Sequence, residues 1–179
     1  MNNPQTASQN HQVADWHQAV QAYRLEHPQA RAIDIAAAVG CTEAFALSFL
    51  SEQVWQIPAA DLPKVLAEIK TWERVMALIR NGEAVAEIEV PGHIWYLNGD
   101  WLNWIDEGYN LHIRAAATDH MLALIRSGKR GPTYSFNLVN EAGQVFCRFY
   151  ARTAIDKERF GNFCAHYQLS DRSLTVKKE

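Results

Sequence analysis

Residues 133–152 read TYSFNLVNEAGQVFCRFYAR, two aromatic-rich runs separated by NEAG. Successive side chains of an extended strand point to opposite faces, and Asn140 and Gly143 tolerate the dihedrals of a tight turn. The stretch therefore predicts a β-hairpin. The runs RVMALIRNG, EAVAEIEVPG, HIWYLNG, GYNLHIRA and MLALIRSG, which precede it from about residue 73 onward, are similarly short, β-like and punctuated by glycine. Several antiparallel strands are the simplest arrangement for such a series.

Working back from these strands, the texture becomes helical. Trp16, Val20, Tyr23 and Leu25 recur near helical spacing and stop close to His27-Pro28, because proline pushes its predecessor out of the helical region. In AIDIAAAVGCTEAFALSFL an alanine-rich helix ends at Gly40, and another starts behind Thr42 as N-cap with Glu43 in its first turn. DLPKVLAEIKTW gives a further helix, with Pro63 in the first turn and Leu62, Val65, Leu66, Ile69 and Trp72 on one face. Beyond the hairpin, the segment from Asp156 places Phe160, Phe163 and Tyr167 at helical spacing. The expected fold is α+β: an N-terminal helical cluster packed on a large antiparallel sheet, with a C-terminal helix. One domain is expected over 13–170, its helical part over 13–72 and its sheet part over 73–170, between flexible ends at 1–12 and 171–179.

The 179 residues are 48% hydrophobic and 21% charged, enough for one real core, and the net charge is −3. No apolar run approaches the roughly 18–20 residues of a membrane span, and the polar start MNNPQTASQNHQ lacks the features of a signal peptide, so a cytoplasmic protein is expected. Cys41, Cys147 and Cys164 are odd in number and widely spaced, which suggests buried thiols rather than a disulfide framework or a zinc site.

Strand parity puts Tyr109, Leu111 and Ile113 on one face and Asn110, His112 and Arg114 on the other. In the hairpin's second strand it opposes Val145, Cys147, Phe149 and Ala151 to Phe146, Arg148, Tyr150 and Arg152. One sheet face is thus expected to collect His112, Arg114, Arg148, Tyr150 and Arg152. Two readings are open: a solvated face, common in antiparallel sheets, or a site for an anionic ligand with a flat apolar body. Cys147, of opposite parity to Arg148, reads as a core thiol.

DIAAAVGCTEAF outlines a helix-turn-helix, but Ala32–Gln53 contains no Lys or Arg to meet phosphates, so a packing module is preferred to a DNA reader. His93, His112, His120 and His166 show no HxxxH spacing. A GxSxG elbow, a P-loop and a GxGxxG fingerprint are absent, against hydrolase, NTPase and dinucleotide chemistry.

The order of segments from about Ile33 to His166 resembles the ChuX/HutX family of intracellular haem-utilisation proteins, relatives of the HemS-type haem carriers. VGCTEAF followed by IPAADLPKVLAEIKTWERVMALI, then EVPG, WLN, GYNLHIRA and NLVNEAGQVFCRFYAR carry the similarity. The resemblance implies half of a HemS-type carrier, usually a homodimer, which binds haem on its sheet and passes it to a haem-using or haem-degrading protein. It places the family's haem-binding histidine at His112, the following arginine at Arg114, and a hairpin lysine at Arg148. A second family histidine, at the end of the first sheet strand, is matched by Arg80. Ala151-Arg152-Thr153 stands for a Gly-Arg-Asp, and Leu111 for a small residue. His93 and His120 are the candidate substitutes for the missing ligand.

Haem asks for an iron donor, an apolar slot and cations for its propionates. His112 would supply the first, with Arg114, Arg80 and Arg148 the last, and Tyr150 beside them. Haem trafficking is the expected function. The alternatives are a haem-degrading or iron-releasing enzyme and, further off, a helix-turn-helix regulator; neither a membrane nor a nucleic-acid partner is expected.

Overall fold

The computed structural model describes residues 4–80, 84–107, 109–128 and 130–167, so the expected flexible tail 171–179 lies outside the described residues. The first helix, α1 (Pro4–Glu26), starts inside the stretch expected to be flexible and is longer than the spacing from Trp16 suggested. It stops where proline required, and the His27 N–H closes the last turn on Tyr23 O at 2.8 Å. Helix α2 (Ala32–Val39) ends at Gly40, whose φ of 77° lets its N–H reach Ala36 O. Helix α3 (Glu43–Phe49) begins behind Thr42, whose Oγ1 accepts from Phe45 N at 3.2 Å. Helix α4 (Leu62–Ile69) buries Leu62, Val65, Leu66 and Ile69, as its pattern predicts.

A strand that the spacing did not suggest, β1 (Gln53–Pro58), joins the helical segment to the sheet. Then follow β2 (Val75–Arg80), β3 (Val85–Val90), β4 (Tyr96–Asn98), β5 (Trp101–Asp106), β6 (Tyr109–Arg114), β7 (His120–Arg126), β8 (Thr133–Val139) and β9 (Val145–Ala151). Helix α5 (Ala154–Cys164) closes the described fold. The fold is α+β as expected, but the strands make two sheets. One has six strands in the order β1-β7-β8-β9-β2-β3; the other has three, β4-β5-β6. The NEAG turn does form the β8–β9 hairpin, with Gly143 at φ 71° and a register shift at Leu138/Val139.

Both faces of the large sheet are covered. On one, Trp55, Ile57, Ala77, Met121, Phe136 and Phe149 pack beneath α4, α5 and the small sheet. Trp72 stacks on Phe136 with centroids 5.6 Å apart, and Trp95 meets Phe149 edge-on at 5.0 Å, tying the segment before β4 to the large sheet. On the other face, Val54, Leu122, Leu124, Val139 and Val145 pack against Val20, Ile35, Phe45 and Leu47 of α1–α3. Helix α3 is buried from Glu43 to Ser48, which leaves it no face to lay in a DNA groove.

Two contacts join distant segments. Asp156 is fully buried at the start of α5 and forms a capping box with Thr153. Its carboxylate also accepts from the backbone N–H groups of Glu73, at 2.8 Å, and Arg74, at 3.4 Å. Gly92 lies so close to the end of α4 that a β-carbon there would sit 2.1 Å from Ile69 O and 2.7 Å from Trp72 O. We expect Gly92→Ala to destabilise the fold by about 1–3 kcal/mol, the usual cost of forcing atoms into a packed site. A fall in Tm with the native circular dichroism retained would show it, and an unchanged Tm would refute the close approach.

Candidate functional site

The small sheet carries the stretch that holds His112. Its register aligns Tyr96 with Asn103 and Asn103 with His112 in one row across β4, β5 and β6. The next row is Asn98, Trp101 and Arg114; on the other side of His112 is the pair Ile105 and Asn110. The opposite parity, Leu97, Leu102, Trp104, Leu111 and Ile113, packs into the core. The outward face therefore groups His112 and Arg114, both exposed, with three large exposed hydrophobics: Tyr96 at 36%, Trp101 at 45% and Ile105 at 52%. Apolar groups of this size gathered on one face mark a binding surface more often than scattered ones do.

Asn103 is the buried member of this face. Its Nδ2 donates to Trp101 O at 3.0 Å, which fixes the amide so that Oδ1 is the atom 2.6 Å from His112 Nδ1. An amide oxygen only accepts, so Nδ1 of the neutral imidazole must carry the proton. The lone pair then resides on Nε2, which makes no hydrogen bond among the described residues. Nor does a carboxylate pair with Arg114 among them. The face thus presents one oriented nitrogen donor, apolar side chains around it and, two residues along the strand or roughly 7 Å, a cation.

Arg80, Arg148, Tyr150 and Arg152 are elsewhere, and the expectation of one shared face is corrected. They belong to the six-stranded sheet or its end, with Arg80, Arg148 and Tyr150 on the face away from the small sheet. Parity orders side chains within a strand but does not say which strands pair. The turn after Asp106 pairs β6 with β5 rather than with the hairpin. Arg148 Nη2 donates to Glu43 Oε1 at 2.6 Å, Arg80 Nη2 donates to the same oxygen, and Val145 N donates to Glu43 Oε2 at 3.2 Å. All three side chains are nearly buried. Burial, followed by the like charge of Arg148, lowers the pKa of Arg80. Tyr150 is half-buried between Ser135 and Met76 in the register, and Arg152 pairs with Glu89 at 3.1 Å.

His120 Nδ1 lies 3.0 Å from Asp119, while its Nε2 is buried. His93 is exposed on the single 3₁₀ turn before β4, outside both sheets. Cys147 is a core thiol, its pKa pushed up by burial. Asn103, Trp101, Tyr96 and Ile105 were not singled out by sequence reasoning. The alternation in WLNWID held the signal, once read as the strand before GYNLHIRA.

Solved structures with this architecture include several that are named as haem proteins. The chain is similar in fold to ChuX, with a TM-score of 0.68 and 16% identity over 82% of this chain and 96% of that one. It is also similar to holo-PhuS, a heme-binding protein from Pseudomonas aeruginosa, with a TM-score of 0.75 and 20% identity over 89% of this chain and 47% of that one. For the heme degrading enzyme ChuS of Escherichia coli O157:H7 the TM-score is 0.73, with 18% identity over 93% and 51%. The chain thus spans nearly all of ChuX and about half of PhuS and ChuS. It belongs to the ChuX/HutX haem-utilisation family, whose model matches residues 55–165. That match begins later than the resemblance read from Ile33, leaving α1, α2 and α3 outside it. No curated protein matches the sequence.

Proposed function

We propose that this protein binds haem on the outward face of the small sheet, with His112 Nε2 as the iron ligand, and carries it in the cytoplasm after uptake. The observation behind this is the Asn103–His112 hydrogen bond, which leaves the outer ring nitrogen as a donor. The residues fit the group: Trp101, Tyr96 and Ile105 offer apolar contact to a macrocycle, and Arg114 offers a cation for a propionate. Haem supplies the iron and the porphyrin; the protein supplies orientation, apolar burial and charge. An open face suits a carrier because cargo leaves it without a domain opening. As in the family, a homodimer and a downstream recipient are part of this reading.

Asn103→Leu tests the orientation. It keeps His112 but removes the acceptor at Nδ1, so haem affinity should fall by about 10–100-fold, as for loss of other partners that orient a metal ligand. Absorption titration measures it, with thermal denaturation as a check on folding. Equal affinity in a folded variant would overturn the assignment.

A second reading, haem degradation, draws support from the likeness to ChuS, which is described as a heme degrading enzyme. Incubating the haem complex with a reductant and oxygen separates the two. A stable haem spectrum supports the carrier, whereas catalytic formation of a bilin establishes the enzyme.

A further inference from the structure

A cavity of about 590 Å³ opens on the far side of the large sheet, between the α2–α3 turn, the end of β2 and the start of β9. The apolar part of its wall is made by Ile33, Ala36, Ala37, Val145 and Phe146. Arg80, Glu43, Thr42 and Gln144 contribute its polar portion. Part of this wall, Ile33 to Glu43, lies outside the residues matched to the family.

The charges around it do not balance. Arg80 and Arg148 share one carboxylate, Glu43, whose second oxygen is occupied by Val145 N–H. Among the described residues the cluster of Arg80, Arg148 and Glu43 carries one more positive charge than negative, with all three side chains nearly buried. The neighbouring Arg31–Asp34 pair, bonded at 2.8 Å, adds no net charge to it. The Nε atoms of Arg80 and Arg148 are buried without a hydrogen-bond partner among the described residues. Burying a guanidinium donor unpaired is costly, and an anion beside it repays the cost with a charge-assisted bond.

We propose that this cavity is a second binding site, independent of His112, for a carboxylate carried on a small apolar body, with Arg80 holding the carboxylate. The volume falls within the usual range for small-molecule sites, about 300–1,000 Å³. The alanines of α2 and the side chains of Val145 and Phe146 receive the hydrocarbon. The chemistry is shared by a short free carboxylic acid and by a haem propionate.

Hexanoate is the probe, with hexanol as its uncharged counterpart, followed by the backbone amide signals of Gln144 and Val145 in ¹H–¹⁵N spectra of the full chain. Hexanoate should shift these signals saturably, and hexanol should bind at least about tenfold more weakly, the worth of a hydrogen bond to a charged group. Arg80→Met should weaken hexanoate by a similar factor. Ala37→Trp, which puts a large ring into the cavity from α2 and keeps Arg80 and Glu43, should abolish the shifts in a folded protein. Retention of hexanoate binding in His112→Ala separates this site from the haem reading. Displacement of hexanoate by haem would identify the carboxylate as a propionate, and joint binding would identify a free acid; both support the site. Equal binding of hexanol, no saturable shift, or undiminished binding in Ala37→Trp would overturn it.

Discussion

His112→Ala is expected to lose the haem absorption bands of a histidine-ligated iron and to bind haem more weakly by at least the 10–100-fold that loss of an outer-shell partner costs, in round figures. The effect is larger than that of Asn103→Leu because the donor itself is gone, while the apolar contacts of Trp101, Tyr96 and Ile105 remain. Residual, spectrally altered binding is therefore the expected picture. Added imidazole should restore the band by occupying the space of the lost ring. The side chain is exposed, so the fold should be undisturbed. An unchanged Soret band and titration in the variant would remove His112 as ligand and send the search to His93.

The second large effect is on stability. Glu43→Gln leaves the buried Arg80 and Arg148 guanidinium groups without their shared anion, and uncompensated buried charge costs about 3–5 kcal/mol. At about 2–4 °C per kcal/mol for a domain of this size, Tm should fall by roughly 10 °C. The cost lies in stranding the cations, so the triple change Glu43→Leu, Arg80→Met and Arg148→Met should recover most of it. Denaturant titration of the three proteins measures both steps. If Glu43→Gln lies within about 1 kcal/mol of the parent, the cluster is not holding α3 to the sheet.

Local signals were read well from the sequence because they are settled by neighbouring residues. Thr42 as N-cap, Gly40 as helix stop, Pro63 in the first turn of α4 and NEAG as a hairpin all depend on a few adjacent dihedrals. Pairing depends on residues far apart. Arg148 and His112 have similar surroundings along the chain, yet one strand pairs with β8 and the other with β5. Glu43 looked like an ordinary first-turn acid, and only the folded chain brings it to two arginines from β2 and β9. Asn103 escaped notice for a related reason: an asparagine between aromatics acquires meaning only when β5 lies beside β6.

The reach of Asp156 to the amides of Glu73 and Arg74 makes those two protons reporters on the far end of the chain. Their exchange with solvent deuterium requires the carboxylate to withdraw, which means that the first turn of α5 must lift off. Slow exchange at 73 and 74 that matches the slowest sheet amides would show α5 unfolding together with the whole domain. Faster exchange there than in β8 and β9 would define a separate opening of the C-terminal helix, with its own free energy.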